Sequence, residues 1–397
     1  MKNLKSLLLY SAAAVFALTS CDDDDKVTGP TGNNNKVIEV SGEITTDQTW
    51  TSDNGNIYVL DGRVTVTGGA TLTIDAGTVI KANPGLGAIA SALVISREGK
   101  IMANGTATQP IIFTTIADDI EPGMIKSPNM DAENNGLWGG VIILGKAHVS
   151  SSKSVIQIEG IPTTDVNGLY GGTEDGHSSG SFTYVSIRHG GTNIGAGNEI
   201  NGLTLGGVGS GTVINNVEVV ANQDDGIEWF GGTVSVTNAL VWNCGDDAID
   251  TDQDWTGTLD NFIVVNPGDR AFELDGPEGT NVTGMNHKIM NGTVYMGNGI
   301  ELIDFDDNSN VDMSGIYFFG LKAGQITSGY SGFAGAGIGS VANFEVTLEG
   351  LTLADVLSSI NATVVAKNQN TVGAAKNSND FSWTWAAQSG AIGNVGL

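Results

Sequence analysis

The chain has 397 residues, of which 44 are acidic and 17 are basic, so its formal net charge at pH 7 is −27. Such a surface repels polyanions, and no Lys/Arg patch is present to neutralise phosphates, which excludes nucleic acid as a partner. The same charge disfavours binding of an acidic polysaccharide unless a metal cation mediates the contact.

Residues 1–20 have the order of a signal peptide, with Lys2 and Lys5 before an apolar run at 7–18. This run is shorter than the roughly 20 residues that a transmembrane helix needs. The tetrad Leu18-Thr19-Ser20-Cys21 resembles a lipoprotein signal-peptidase site, which implies a lipid on Cys21 and a membrane anchor through it. An ordinary secretory signal is the alternative.

Residues 21–36 contain an acidic cluster, Asp22 to Asp25, followed by a stretch rich in Gly, Pro and Asn. This composition cannot bury enough apolar surface to fold, so it predicts a flexible tether. An acidic cluster directly after a lipidated cysteine resembles the surface-export signal of Bacteroidota lipoproteins. The resemblance implies anchoring in the outer membrane facing outward, and anchoring on the periplasmic side stays open.

From residue 37 onward the chain has many short Val/Ile/Thr-rich runs separated by tight turns. Residues 63–67, 71–74 and 78–81 are three such runs, and Gly68-Gly69 and Asp75-Ala76-Gly77 separate them. With 57 glycines and only 8 prolines, the chain shows almost no helical periodicity. This pattern predicts an all-β fold.

Four versions of one tetrapeptide recur in the second half of the chain. They are Asp225-Gly226-Ile227-Glu228, Asp247-Ala248-Ile249-Asp250, Arg270-Ala271-Phe272-Glu273 and Asn298-Gly299-Ile300-Glu301. Their last residues are separated by 22, 23 and 28 positions. This period predicts a right-handed parallel β-helix over residues 37–335, with about 22–24 residues per coil and one inserted loop.

In that geometry the apolar residue of each tetrapeptide points inward and the following acid points outward. We therefore expect Ile227, Ile249, Phe272 and Ile300 to stack in the core, and Glu228, Asp250, Glu273 and Glu301 to form an acidic ladder outside. Stacked like charges repel, at a cost on the order of 1 kcal/mol for each adjacent pair. Protonation, the flanking Arg270 or a bound metal would relieve that repulsion.

Residues 336–397 are predicted to be C-terminal coils and a cap, because the open end of a solenoid needs cover. The run Leu348–Ile360 predicts an amphipathic helix, and the aromatic residues of 381–385 are expected to add to the cover.

Several stretches resemble Bacteroidota surface lipoproteins with pectate-lyase-like β-helices. They are Gly69–Lys81, Gly105–Thr115, Gly136–Lys146 and Asn201–Val234. The resemblance implies the same right-handed fold. It names no activity, because the fold hosts lyases, hydrolases, epimerases and adhesins.

Five aspartates lie within nine residues, which makes this the densest acidic segment. They are Asp246, Asp247, Asp250, Asp252 and Asp254. Ca²⁺ takes six to eight oxygen ligands in irregular geometry, so these residues form the predicted Ca²⁺ site. A solvated acidic turn is the alternative.

Asp246, Asp247 and Asp250 also resemble the calcium-binding aspartates of one pectate lyase group, in which a downstream lysine acts as base. Lys288 is the downstream lysine at a comparable distance, although its local sequence does not match. Asp247, Asp250, Arg270 and Lys288 are therefore the catalytic candidates of an enzymatic alternative.

Aromatic rings stack on sugar faces, and Trp255 closes the aspartate segment. We therefore predict Glu228, Glu273 and an exposed Trp255 as ligand-binding residues. Trp138 is predicted to be a packing residue, and Cys244, which has no disulfide partner, a buried apolar one.

The first hypothesis is therefore an outer-membrane lipoprotein that binds extracellular carbohydrate, with Ca²⁺ as a structural or bridging ion. A calcium-dependent polysaccharide lyase or glycoside hydrolase is the alternative, which the shortage of bases disfavours. A purely structural or adhesive surface protein is a second alternative.

Overall fold

The computed structural model describes residues 36–193, 200–357, 360, 364–374 and 380–396. The predicted signal peptide, Cys21 and the tether up to residue 35 lie outside these residues. In the described part of the chain, no helix is both long and apolar enough to cross a membrane.

The described chain is a succession of short strands with a few short helices near its C-terminus. The strands are β1 (Val37–Ile44), β2 (Gln48–Trp50), β3 (Ile57–Val66), β4 (Thr71–Ile74), β5 (Val79–Ala82), β6 (Ala92–Ile95), β7 (Lys100–Asn104), β8 (Ile111–Thr115), β9 (Val141–Leu144), β10 (Ile156–Gln157), β11 (Leu169–Tyr170), β12 (Gly180–Arg188), β13 (Leu203–Gly206), β14 (Val213–Val220), β15 (Ile227–Phe230), β16 (Val236–Trp242), β17 (Ile249–Asp252), β18 (Thr258–Val265), β19 (Arg270–Leu274), β20 (His287–Tyr295), β21 (Glu301–Phe305), β22 (Val311–Ser314), β23 (Tyr317–Phe319), β24 (Thr327–Ser328), β25 (Ser340–Ala342), β26 (Phe344–Val346) and β27 (Val364–Ala366). The helices are α1 (Tyr330–Ala336), α2 (Leu353–Val356), α3 (Trp385–Gln388) and α4 (Ala391–Asn394).

Parallel pairing between successive coils arranges these strands on three faces of a right-handed parallel β-helix, as predicted. Face 1 contains β6, β9, β13, β15, β17, β19, β21 and β24. Face 2 contains β4, β7, the first halves of β12, β14, β16, β18 and β20, and also β22 and β25. Face 3 contains β5, β8, the second halves of β12, β14, β16, β18 and β20, and also β23, β26 and β27.

The inward stack on face 1 follows the predicted period. Ile227 pairs with Ile249 and Ile249 with Phe272, so two coils take 22 and 23 residues, and all three side chains are fully buried. The prediction for Ile300 was wrong, because Phe272 pairs with Ile303 and Ile300 is 65% exposed. The loop 275–286 lengthens this coil and shifts the register away from the matching tetrapeptide.

Asparagines with left-handed backbone form the corner between faces 2 and 3. Asn216, Asn238, Asn261 and Asn291 have φ values of 53°, 59°, 59° and 56°. Asn tolerates this conformation better than most residues. The Asn261 amide donates to Asn238 over 2.6 Å, and the Asn238 amide donates to Asn216 over 3.2 Å. Side-chain hydrogen bonds therefore join successive coils where the chain bends.

The predicted helix over Leu348–Ile360 is much shorter in the structure. Among its described residues, Leu353–Val356 form the α-helix α2, and Thr352 and Asp355 form a capping box at its start. Val356, Leu357 and Ile360 are buried in the main core cluster, which also contains residues of β26. This segment closes the C-terminal end of the core.

The aromatic segment at 381–385 was expected to cover the open end of the solenoid, but it lies against the side of face 3. The backbone N–H groups of Trp385 and Ala386 donate to the carboxylate of Glu218 over 3.1 and 2.9 Å. Glu218 lies on the outside of face 3, in β14. The C-terminal segment (residues 380–396) therefore runs back along the side of the solenoid.

Candidate metal centre on the acidic face

The acidic ladder lies on the outside of face 1, as the period predicts. Glu228 pairs with Asp250, and Asp250 pairs with Glu273. The fourth member was predicted wrongly, because Asp304 and not Glu301 pairs with Glu273. Four acids from successive coils thus form one row.

A second row lies beside the ladder, nearer the start of each face 1 strand. Asp225 accepts a hydrogen bond from the backbone N–H of Asp247 over 2.9 Å. Asp247 accepts one from the N–H of Arg270 over 2.6 Å, and Arg270 pairs with Glu301. Asp225 and Asp247 thus each accept a hydrogen bond from the backbone of the next coil, which gives both carboxylates a structural role.

Arg270 neutralises the C-terminal half of the two rows. Burial alone would lower its pKa, but the surrounding carboxylates, Asp247 foremost, raise the pKa above its ordinary value. These carboxylates therefore hold Arg270 in its charged form, which disfavours the role of a catalytic base. Its guanidinium nitrogens lie 3.2 Å from Asp247, 3.4 Å from Asp269, 3.5 Å from Glu273, 3.4 Å from Glu301 and 3.6 Å from Asp304.

In the N-terminal half, the described part of the chain provides no comparable cation. Carboxylate oxygens of Asp225, Glu228 and Asp250 lie within 4.8 Å of one another. Among the described residues, no Lys, Arg or His forms an ion pair with any of the three. Removal from water first, and then the neighbouring carboxylates, raise the pKa of each of them well above the usual value.

Asn201 supplies a further oxygen beside these carboxylates. Its side chain is buried, and its amide nitrogen donates to Glu228. Its amide oxygen is buried without a hydrogen-bond partner in the described structure. Glu159, whose pKa is raised by desolvation, also hydrogen-bonds to Asn201. The oxygen-only donor set of Asp225, Glu228, Asp250 and Asn201 fits a hard cation such as Ca²⁺.

The five predicted metal ligands do not form one shell. Asp246 belongs to two other acidic groups, one with Asp224 and Asp225 and one with Asp247 and Asp269. Of the predicted set, only Asp250 lies in one group with Asp225 and Glu228.

Asp252 lies two residues after Asp250 on face 1, and its side chain also points outward. The N–H of Gln253 donates to its carboxylate over 2.7 Å, and burial followed by repulsion from Glu278 raises its pKa to about 7.

Asp254 was predicted to share a Ca²⁺ site with Asp250 and Asp252, but it does not lie beside them on the acidic face. Gln253 and Asp254 have left-handed backbone, with φ of 57° and 58°, and this turns the chain at the corner. Asp254 is buried, and it accepts hydrogen bonds from the N–H and hydroxyl of Thr283 over 2.6 and 2.9 Å and from the Asn310 amide. Its carboxylate is therefore fully used within the protein.

The same turn corrects the prediction for Trp255. Its ring is 1% exposed, stacks on Trp229 at 4.6 Å and donates from Nε1 to the carbonyl of Val234 over 2.9 Å. It is a core residue and offers no surface for stacking on a sugar. Trp138 and Cys244 are buried, as predicted.

An excursion from the coil covers part of the acidic face. It runs from residue 145 to residue 179 and contains the β10–β11 hairpin. Tyr170 packs edge-on against Phe230 of face 1 at 6.1 Å, within a second apolar cluster. Glu228 is buried, so the prediction of an exposed ligand-binding side chain fails for Glu228, whereas Glu273 remains partly exposed.

The fold and this geometry accord with one family. The model of the pectate-lyase-like β-helix domain matches residues 42–388. The chain belongs to this family. Neither a curated protein nor a solved structure matches it.

Among the described residues of this pectate-lyase-like β-helix, no strand of face 1 carries a lysine. Lys288 lies on face 2, where it pairs with Thr258 and Asp312, and not on face 1 with Asp247 and Asp250. This placement corrects its candidacy as their catalytic partner. Burial, and then Glu273, raise the pKa of Asp247 to about 8.

Sequence reasoning did not include Asp225, Asn201 and Glu159 in the metal set. Asp225 stands 22 positions before Asp247, so the period alone could have added it. Asn201 begins the related tetrapeptide Asn201-Gly202-Leu203-Thr204, in which a threonine replaces the acid, so the acidic pattern did not mark this coil. Glu159 belongs to the excursion, which carries no periodic signal.

Proposed function

We propose that this chain is an outer-membrane lipoprotein, facing outward, that binds extracellular carbohydrate and holds Ca²⁺ on its acidic face. The supporting observation is the group of Asp225, Glu228 and Asp250, which are crowded and desolvated and form no ion pair with any described residue. Anionic oxygens at such distances need protons or a bound cation.

Ca²⁺ suits this position because it accepts irregular shells of six to eight oxygens. Asp225, Glu228, Asp250 and Asn201 supply fewer than a full shell if each gives one oxygen, so ligand or water oxygens would complete it. A bridging cation would also allow a protein of net charge −27 to bind an acidic sugar chain.

The lipid anchor and the outward orientation rest on Cys21 and the acidic cluster that follows it, with their resemblance to exported lipoproteins. Membership in the pectate-lyase-like family supports a role connected with carbohydrate. It is compatible with both binding and bond cleavage.

Titration calorimetry of the calcium-stripped protein with Ca²⁺ tests the metal. We expect one site in the native protein, loss of that site in Asp250→Asn, and native behaviour in Glu39→Gln. Glu39 is an exposed acid on β1, so its variant removes the same charge elsewhere. Equal affinity in the three proteins would contradict the site.

A glycan array probed with and without Ca²⁺ tests the ligand. Calcium-dependent retention on polysaccharides supports the proposal, and no retention under either condition contradicts carbohydrate binding. Absorbance from unsaturated products in the same mixtures would show instead that the chain is a lyase.

A further inference from the structure

A pocket lies away from the acidic face, between face 3 and the C-terminal segment. Its volume is about 470 Å³, within the range of roughly 300–1,000 Å³ that is usual for small-molecule sites. Two aromatic rings, a set of amides and one ammonium group stand out in its lining. They belong to Trp242, Tyr295, Asn243, Asn266, Asn298 and Lys322.

The Tyr295 ring packs closely against the backbone of two glycines, Gly297 and Gly320. A Cβ atom added to Gly320 would lie 2.2 Å from the ring, and one added to Gly297 would lie 2.8 Å from it. Both glycines also have positive φ, 64° and 48°. Glycine is thus required at both positions, and the partly exposed ring is fixed at the pocket wall.

The second ring and the amides are fixed as well. Trp242 meets Trp385 of the C-terminal segment edge-on at 5.6 Å. The Asn266 amide donates to Asn243 over 2.8 Å and accepts from the backbone N–H of Asn298 over 2.7 Å. Each amide nitrogen has two hydrogens, so one hydrogen of Asn266 stays available to a ligand.

Lys322 is the cation of this pocket. Its side chain is exposed, and none of the ion pairs among the described residues includes it. On a chain of net charge −27, an ammonium group without a carboxylate partner favours an anionic ligand.

We infer that this pocket binds one sugar ring that carries a carboxylate, a uronic acid unit. Tyr295 and Trp242 offer apolar ring surface, the asparagines offer hydrogen bonds to hydroxyl groups, and Lys322 pairs with the carboxylate. This binding uses no metal, so it is independent of the proposed Ca²⁺ site.

Ligand-observed NMR titration in the presence of EDTA tests the inference, with glucuronic acid and glucose as probes. We expect tighter binding of glucuronic acid, and Lys322→Ala should weaken it about tenfold while leaving glucose unchanged. Lys288→Ala removes an exposed lysine on face 2 and should match the native protein.

Tyr295→Leu should weaken both probes, because it removes the ring and keeps apolar volume. If that variant does not fold, Asn298→Ala replaces it, since the Asn298 side chain is exposed and only its backbone bonds to Asn266. Glucuronic acid binding that needs Ca²⁺, or that is equal in the native and Lys322→Ala proteins, would overturn the inference. The calcium titration remains a separate test of the acidic face.

Discussion

The apo protein should become less stable as pH rises above neutrality, and Ca²⁺ should reverse the trend. Asp247 is buried, and its pKa is raised from 3.8 to about 8 in the folded state. The folded state therefore binds more protons than the unfolded chain between these values, and stability is lost as pH rises through 8.

The size of the effect follows from the same shift. One pKa unit corresponds to about 1.4 kcal/mol, so Asp247 alone should cost about 2 kcal/mol of unfolding free energy between pH 6.5 and 8. Asp225, Glu228 and Asp250 act in the same direction, because their pKa values are raised as well. Bound Ca²⁺ at a hundredfold excess over Kd adds about 2.7 kcal/mol, and a metal prefers the deprotonated carboxylates.

Thermal melts at pH 6.5 and 8.5, in EDTA and in millimolar Ca²⁺, measure this behaviour. Asp250→Asn should raise the Tm in EDTA at pH 8.5 and lose the response to Ca²⁺, whereas Glu39→Gln should keep it. NaCl at matched ionic strength controls for screening of the −27 charge. A Tm in EDTA that rises with pH would refute the titration argument, and equal shifts from NaCl and Ca²⁺ would refute the metal.

Three further outcomes are expected. Cys21→Ala should move the protein from the membrane fraction to the soluble fraction, and retention after a high-salt wash would contradict the anchor. Arg270→Gln should destabilise the protein to urea by about 3 kcal/mol at pH 8 and by less at pH 5, because several carboxylates lose their cation. Burial lowers the pKa of His287 from 6.5 to about 3, so the folded state loses stability relative to the unfolded chain as pH falls from 6.5 toward 3. His287→Phe should remove this loss, which amounts to a few kcal/mol of unfolding free energy in urea between pH 6.5 and 4. An unchanged dependence of stability on pH would contradict the lowered pKa of His287.

The repeat made the fold and the centre of the ladder predictable. Inward Ile227, Ile249 and Phe272 have the same local sequence and spacing in successive coils, and strand pairing preserves that spacing. At Ile300 the local sequence matched but the coil length did not, so the structure places Ile303 inward. Register is a property of the whole coil, and a tetrapeptide reports it only where no loop intervenes.

The predictions for Asp254 and Trp255 were wrong for a different reason. Strict alternation holds only while the backbone stays extended, and it ends at the left-handed pair Gln253 and Asp254. Neither residue is a glycine, so the corner has no turn signal in the sequence. The burial of Glu228 was equally hidden, because it depends on an excursion that packs from outside the repeat.

The negative charges in the two halves of the acidic face are therefore neutralised in different ways. Arg270 gives the C-terminal half a cation that does not titrate near neutral pH, whereas the charge of Asp247 beside it depends on pH. Asp225, Glu228 and Asp250 have only protons or an exchangeable metal to offset their charge. Because Asn201 touches both Glu228 and Glu159 of the excursion, the charge state of this half also acts on the excursion that covers it. In our proposal, Ca²⁺ thus stabilises the coils and their cover together, which makes packing of the excursion depend on the cation.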